Sequence, residues 1–174
     1  MLREQRQRIL SMAIALLIVF GLSYASQVRN SLYKDPIALW KDVVRKSPNI
    51  ERPHYYLGTE LKNIGRLDLA QREWEKTLEL NPRHSWALNQ MGTLWFLHKD
   101  YEKAEYYYQS SVQADINNSE ANYNLAMLLE QKGDIVRSIH YYENFLRMAT
   151  PEYYKEQIAL VSRKVILLRA SLPH

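Results

Sequence analysis

The chain contains no cysteine. Disulfides are therefore excluded, and so is any zinc site built on thiolates. Glycine is scarce, with five in 174 residues, and each stands alone. A phosphate-cradling loop needs glycines clustered ahead of a helix, and no such cluster exists. The histidines, His54, His84, His98, His140 and His174, include no pair three or four residues apart. A metal site therefore has no local support. No nucleophile motif appears. Glu73, Glu75 and Glu79 stand beside Arg72 and Lys76 and read as solvated helix pairs, not as an acid–base couple. These absences point away from an enzyme and imply no cofactor and no metal. Unpaired charge is also missing from most of the chain. The net charge is +4, and residues 1–34 carry all of it as five basic side chains against Glu4. Residues 35–174 balance at 18 of each sign, which argues against nucleic acid as a partner.

What is present begins with one long apolar run. Ile9 to Ala25 carries no charge. Extended to Val28, it reaches the length that a bilayer core asks of a helix. Tyr24 and Tyr33 suit the far interface. The residues fit a transmembrane helix over 9–28, behind a basic flank over 1–8. Ser23-Tyr24-Ala25 also fits a signal peptide cleaved after Ala25. A buried soluble helix fits poorly, because no nearby apolar surface would cover it all round. Arg3, Arg6 and Arg8 outnumber the basic residues that follow closely. That asymmetry favours a cytoplasmic amino terminus and a bulk outside, which is periplasmic in a bacterium.

The rest of the chain repeats itself at an offset of 34 residues, without gaps. Leu57-Gly58 aligns with Met91-Gly92 and Leu125-Ala126. Gly65 aligns with Lys99 and Gly133, and Ala70 with Ala104 and Ser138. Trp40, Trp74, Tyr108 and Tyr142 form one aromatic column, and Pro48 and Pro82 close their rows. Each row holds two stretches of helical periodicity split by a turn. This pattern resembles the tetratricopeptide (TPR) family across residues 34–151. The resemblance implies an all-α solenoid of helical hairpins. It has a half repeat within 29–50, three repeats over 51–151 and a capping helix over 152–174. The cap is read from the stripe Ile158, Val161, Val165, Leu168 and Leu172. Three positions depart from the pattern: Ile116 replaces the closing proline, Ser138 replaces the small alanine, and Phe145 stands where earlier rows have Thr77 and Ser111. The stretch from Trp40 to Leu57-Gly58 also resembles the first repeat after the membrane spans of bacterial glycosyltransferase-like TPR proteins.

The resemblance implies a protein-binding scaffold or adaptor, with the first helix of each pair lining a concave face. Such a membrane-anchored adaptor would serve as an assembly factor or accessory subunit of a membrane complex. Helical spacing assigns to that face Arg52, Tyr55, Tyr56, Thr59 and Lys62. From the second pair it assigns Trp86, Asn89, Gln90, Thr93 and Phe96. From the third it assigns Glu120, Tyr123, Asn124 and Met127. The family's clamp for terminal carboxylates needs basic residues that are absent at Tyr55, Thr59, Gln90, Glu120 and Asn124. The family's asparagine ladder falls at Tyr56, Gln90 and Asn124. The expectation is a groove for a hydrophobic or aromatic segment, with Gln90 and Asn124 holding its backbone. Tyr107 and Tyr141 occupy equivalent convex positions and form a candidate docking patch.

Overall fold

The computed structural model describes residues 12, 14–27 and 34–172, and all regular structure among them is helical. The chain divides into two units, Met1–Pro48 and Asn49–His174. In the first, residues 14–27 form a helix (α1) whose large apolar side chains are exposed, from 49% at Ile14 to 80% at Phe20. No helix among the described residues is long and apolar enough to cross a membrane. The expected 9–28 span lies partly outside those residues, and Arg3, Arg6 and Arg8 lie wholly outside them. Pro36–Lys46 forms α2 over the stretch assigned to the half repeat. It starts at Asp35, whose carboxylate accepts from the Ile37 and Ala38 amides at 3.0 and 3.1 Å. Pro36 follows at the position where a missing amide hydrogen costs nothing.

The second unit consists of three helix pairs and a final helix. The pairs are α3 (Glu51–Asn63) with α4 (Leu67–Leu80), α5 (Ser85–Leu97) with α6 (Tyr101–Ala114), and α7 (Ser119–Gln131) with α8 (Ile135–Met148). Each first helix ends on a left-handed residue at the same register: Gly65 (φ 77°), Lys99 (φ 62°) and Gly133 (φ 81°). The Arg66, Asp100 and Asp134 amides then bond back to Leu61, Trp95 and Leu129 carbonyls at 2.9–3.0 Å, closing the helix end. Asp100 and Asp134 go on to cap α6 and α8. The turns between pairs are alike with or without proline. Asn81 Oδ1 accepts from the Arg83 amide at 3.1 Å, and Asp115 Oδ1 accepts from the Asn117 amide at 3.0 Å. Ile116 is therefore accommodated, because the side chain before it holds the turn.

Burial explains the rest of the pattern. Trp74, Tyr108 and Tyr142 are each 1% exposed and fill the space inside their pairs. Close approach requires a small residue opposite each ring. A Cβ added at Gly58 would lie 2.6 Å from Trp74 Nε1, and one at Gly92 would lie 2.5 Å from Tyr108 Cδ1. One buried cluster joins the second and third pairs through Tyr108, Val112, Leu125 and Leu129. Another joins the third pair to α9 (Pro151–Ala170), with Tyr142, Phe145, Val161 and Val165 at its centre and Ile158, Leu168 and Leu172 packed around them. Glu130 locks this end: it accepts from the Tyr142 hydroxyl at 2.7 Å and from Lys164 Nζ at 2.8 Å.

Candidate partner-binding groove

The first helices α3, α5 and α7 are linked side by side through polar side chains. Lys62 Nζ donates to Gln90 Oε1 at 2.9 Å, joining α3 to α5. Asn124 Nδ2 donates to Asn89 Oδ1 at 3.0 Å, joining α5 to α7. Each link leaves a polar atom unspent. Gln90, which helical spacing expects on the open face, is buried at 5% exposure; its Nε2 and the Oδ1 of half-buried Asn124 make no hydrogen bond among the described residues. One is a donor and the other an acceptor, the pair that a peptide bond requires.

Asn89 does not line an open groove as helical spacing expects. It is 0% exposed, and its Oδ1 accepts the hydrogen bond from Asn124 that links α5 to α7. Phe96 turns inward, packing on Tyr101 at 5.6 Å and on the cluster beneath. Thr93 is half-buried; its hydroxyl donates to the Asn89 carbonyl and accepts from the Tyr108 hydroxyl at 3.2 Å. The residues left facing outward are Trp86, 40% exposed, and Tyr56, 44% exposed, with half-buried Tyr55, Thr59, Tyr123, Asn124 and Met127. Tyr55 stacks at 4.9 Å on His84, which caps α5 by accepting from the Ala87 amide. Burial pushes the Tyr55 phenol above its ordinary value, and the Glu120 carboxylate adds to the rise. Burial likewise holds Tyr108 up at about 12, again with Glu120 contributing. Glu120 thus acts on rings from both other pairs.

The convex patch also differs from expectation. Tyr141 is half-buried and packs against both clusters, and Tyr107 is half-buried beside Tyr106 at 5.3 Å. Tyr106 is the exposed ring there, at 65%. The sequence equivalence of 107 and 141 places them alike on their helices, and of the two it is Tyr141 that packs onto both buried clusters. Nearby, Glu105 accepts from Arg137 at 3.0 Å and from Lys132, tying the second pair to the third.

At one end of the groove lies a cleft that spacing alone could not reveal. Glu120, Tyr123, Asn124, Phe145, Tyr154 and Gln157 enclose a cavity of about 270 Å³. Phe145 is buried, with Tyr123 at 5.3 Å and Tyr154 at 5.6 Å. α9 departs from helical geometry at Tyr154 (φ −124°, ψ 22°). No group of three His, Asp or Glu side chains suited to a metal is found among the described residues.

Two family models described as tetratricopeptide repeat match residues 55–119 and 119–150. The chain belongs to the tetratricopeptide repeat family. Among curated proteins, the TPR chain is similar to the Hsp70-Hsp90 organizing protein of Triticum aestivum, 24% identical over 140 residues, which are 78% of this chain and 24% of that one. It is also similar to the protein O-mannosyl-transferase TMTC1 of Mus musculus, 31% identical over 83 residues, or 48% of this chain and 9% of that one. The chain thus spans a quarter or less of the length of these relatives. Among solved structures it is similar to MamA (TM-score 0.59, 19% identity, covering 83% of this chain and 85% of that one). The Yersinia enterocolitica type III secretion chaperone SycD, in complex with a peptide of the translocator YopD, is similar too (TM-score 0.60, 19% identity, 67% and 90% covered). At these identities the structures speak for the fold alone.

Proposed function

We propose that this chain is a membrane-anchored TPR adaptor, an assembly factor or accessory subunit that captures an extended segment of a protein partner on the α3–α5–α7 face. The observation that carries the reading is the unspent pair Gln90 Nε2 and Asn124 Oδ1, flanked by Trp86 and Tyr123. A donor and an acceptor bond the segment's backbone, and the rings cover its apolar side chains. SycD, similar in fold, is bound to a peptide in its crystal structure, which supports a peptide segment as the class of ligand. The mechanism is binding, with no chemical step. The anchor would be the uncharged run from Ile9 to Val28, of which α1 is the described part, with the amino terminus cytoplasmic and the repeats periplasmic. Tethering there raises the effective concentration of the face for partners in the same membrane.

The test replaces Trp86 with a photocrosslinking residue in the full chain. A partner captured from Trp86, but not from the exposed Arg72 on α4, supports the reading. Capture that persists unchanged in Gln90→Ala/Asn124→Ala, with the fold intact by circular dichroism, removes it. Extraction by carbonate, or a mature chain that starts at Ser26, removes the anchor and leaves a released TPR protein.

A further inference from the structure

The cleft between α7, α8 and α9 differs in chemistry from the rest of the face. Its floor is the ring of Phe145, and its walls are Tyr123 and Tyr154, inclined to that floor at 56° and 82°. Aromatic faces carry the negative part of the ring quadrupole and attract cations. The rim adds Glu120, Asn124 and Gln157. Glu120 is the single charged residue in the lining. It forms no ion pair and no hydrogen bond through its side chain among the described residues. Asn124 donates one amide hydrogen to Asn89 at 3.0 Å, and its carbonyl oxygen makes no hydrogen bond among the described residues and is the acceptor it offers to the cleft. No basic side chain is among the residues that enclose the cleft, and Lys164 on α9 is held by Glu130 at 2.8 Å.

A carboxylate, an amide carbonyl and the two tyrosine rings packed on buried Phe145 share one complement. We infer that this cleft receives a lysine or arginine side chain from the partner segment bound on the α3–α5–α7 face. An aliphatic side chain would cover the Glu120 carboxylate without satisfying it, which costs free energy. An acidic side chain would meet a like charge. A cationic one places its stem on the rings and its donors on the oxygens. The inference rests on the proposed function, because Asn124 belongs to both the groove and the cleft. Its occupant is therefore a side chain of the same segment, one end of which is fixed by Gln90 and Asn124.

The cleft is tested without the partner by titrating the isotopically labelled full chain with n-butylammonium, 1-pentanol and butyrate. The ammonium ion is expected to shift the amide signals of Tyr123, Asn124, Tyr154 and Gln157 saturably in the millimolar range. It should bind at least about fivefold more tightly than the alcohol, as a desolvated cation–π contact implies. Glu120→Gln, which keeps the shape, should abolish that preference, and Tyr154→Leu should weaken it. Equal binding of ammonium and alcohol, stronger binding of butyrate, or an unchanged preference in Glu120→Gln overturns the inference. Crosslinking from Trp86 separates the two readings. A partner still captured there while the cation preference is absent sinks the cleft and spares the groove. A cation preference with no partner captured sinks the groove.

Discussion

Replacing Gly92 with alanine tests whether close helix approach, and not helix propensity, decides that position. Gly92 lies inside α5, where alanine is the better helix former by about 1 kcal/mol. On propensity alone the variant gains stability. The structure gives the opposite sign. The new Cβ would stand 2.5 Å from Tyr108 Cδ1, 2.6 Å from Cε1 and 3.0 Å from Cγ. That ring cannot swing aside easily, since it is 1% exposed and its hydroxyl donates to Thr93 at 3.2 Å. Overpacking a rigid site costs about 1–3 kcal/mol, and such short contacts place it in the upper part of that range. Net of the propensity gain, Gly92→Ala is expected to lose about 1–2 kcal/mol. With a urea slope of about 2 kcal/mol per molar, the unfolding midpoint falls by about 0.5–1 M. Gly58→Ala should lose at least as much, because its contacts include the Ala70 backbone carbonyl at 3.1 Å as well as Trp74. Ala126→Gly, at the same register of the third repeat, should also lose stability, since it empties a fully buried methyl site and frees the backbone. A Gly92→Ala chain as stable as the parent, or more stable, would refute the packing argument.

Lys99→Gly should raise the melting temperature, by relieving about 1 kcal/mol of left-handed strain at φ 62°. Burial alone would raise the Glu105 carboxyl, but hydrogen bonds from Lys132 and Arg137 outweigh it and hold the group below its ordinary 4.5. The stabilisation from this node is thus present above pH 4.5 and lost as pH falls through the depressed value, so Glu105→Gln should flatten the acid limb of the stability profile. Burial depresses His84 below 6.5 while its ring accepts from the Ala87 amide. Acidification from 6.5 therefore favours the unfolded chain, and His84→Asn, which retains a cap, should remove that slope in pH-dependent melts.

Much of this fold is legible in the sequence, because the repeat encodes register, and register decides conformation even where identity varies. Lys99 shows this most directly. It adopts the left-handed turn of Gly65 and Gly133 although lysine does not favour it, since the helices on either side fix where the chain must reverse. Asp115 shows a second route, supplying the turn bond that makes the missing proline at 116 harmless. The site is less legible. Helical spacing gives the angle of a side chain about its own axis, but not where the next helix crosses. Asn89 and Gln90 are adjacent on α5 and helical spacing puts both on the open face, yet both are buried, each with its amide oxygen bonded to a neighbouring first helix. Tyr107 and Tyr141 likewise are half-buried, which spacing along their own helices does not reveal.

The cleft has one trace in the sequence, the departure at Phe145. In the first pair the equivalent Thr77 hydroxyl reaches the Glu51 carbonyl at 3.4 Å, and in the second the Ser111 hydroxyl reaches the Ser85 carbonyl at 2.8 Å. These bonds tie the end of each second helix to the start of its own first helix. Phenylalanine has no hydroxyl to make that tie. Its ring enters the cluster shared with α9, and Tyr123 and Tyr154 pack on it. A ring of that size needs cover that a further repeat carrying a small polar residue would not supply, and α9 supplies it with Val161, Val165 and Tyr154. The substitution that accompanies the end of the regular repeat is thus the one that floors the cleft. Phe145 both seats α9 on the third pair and lines the cleft.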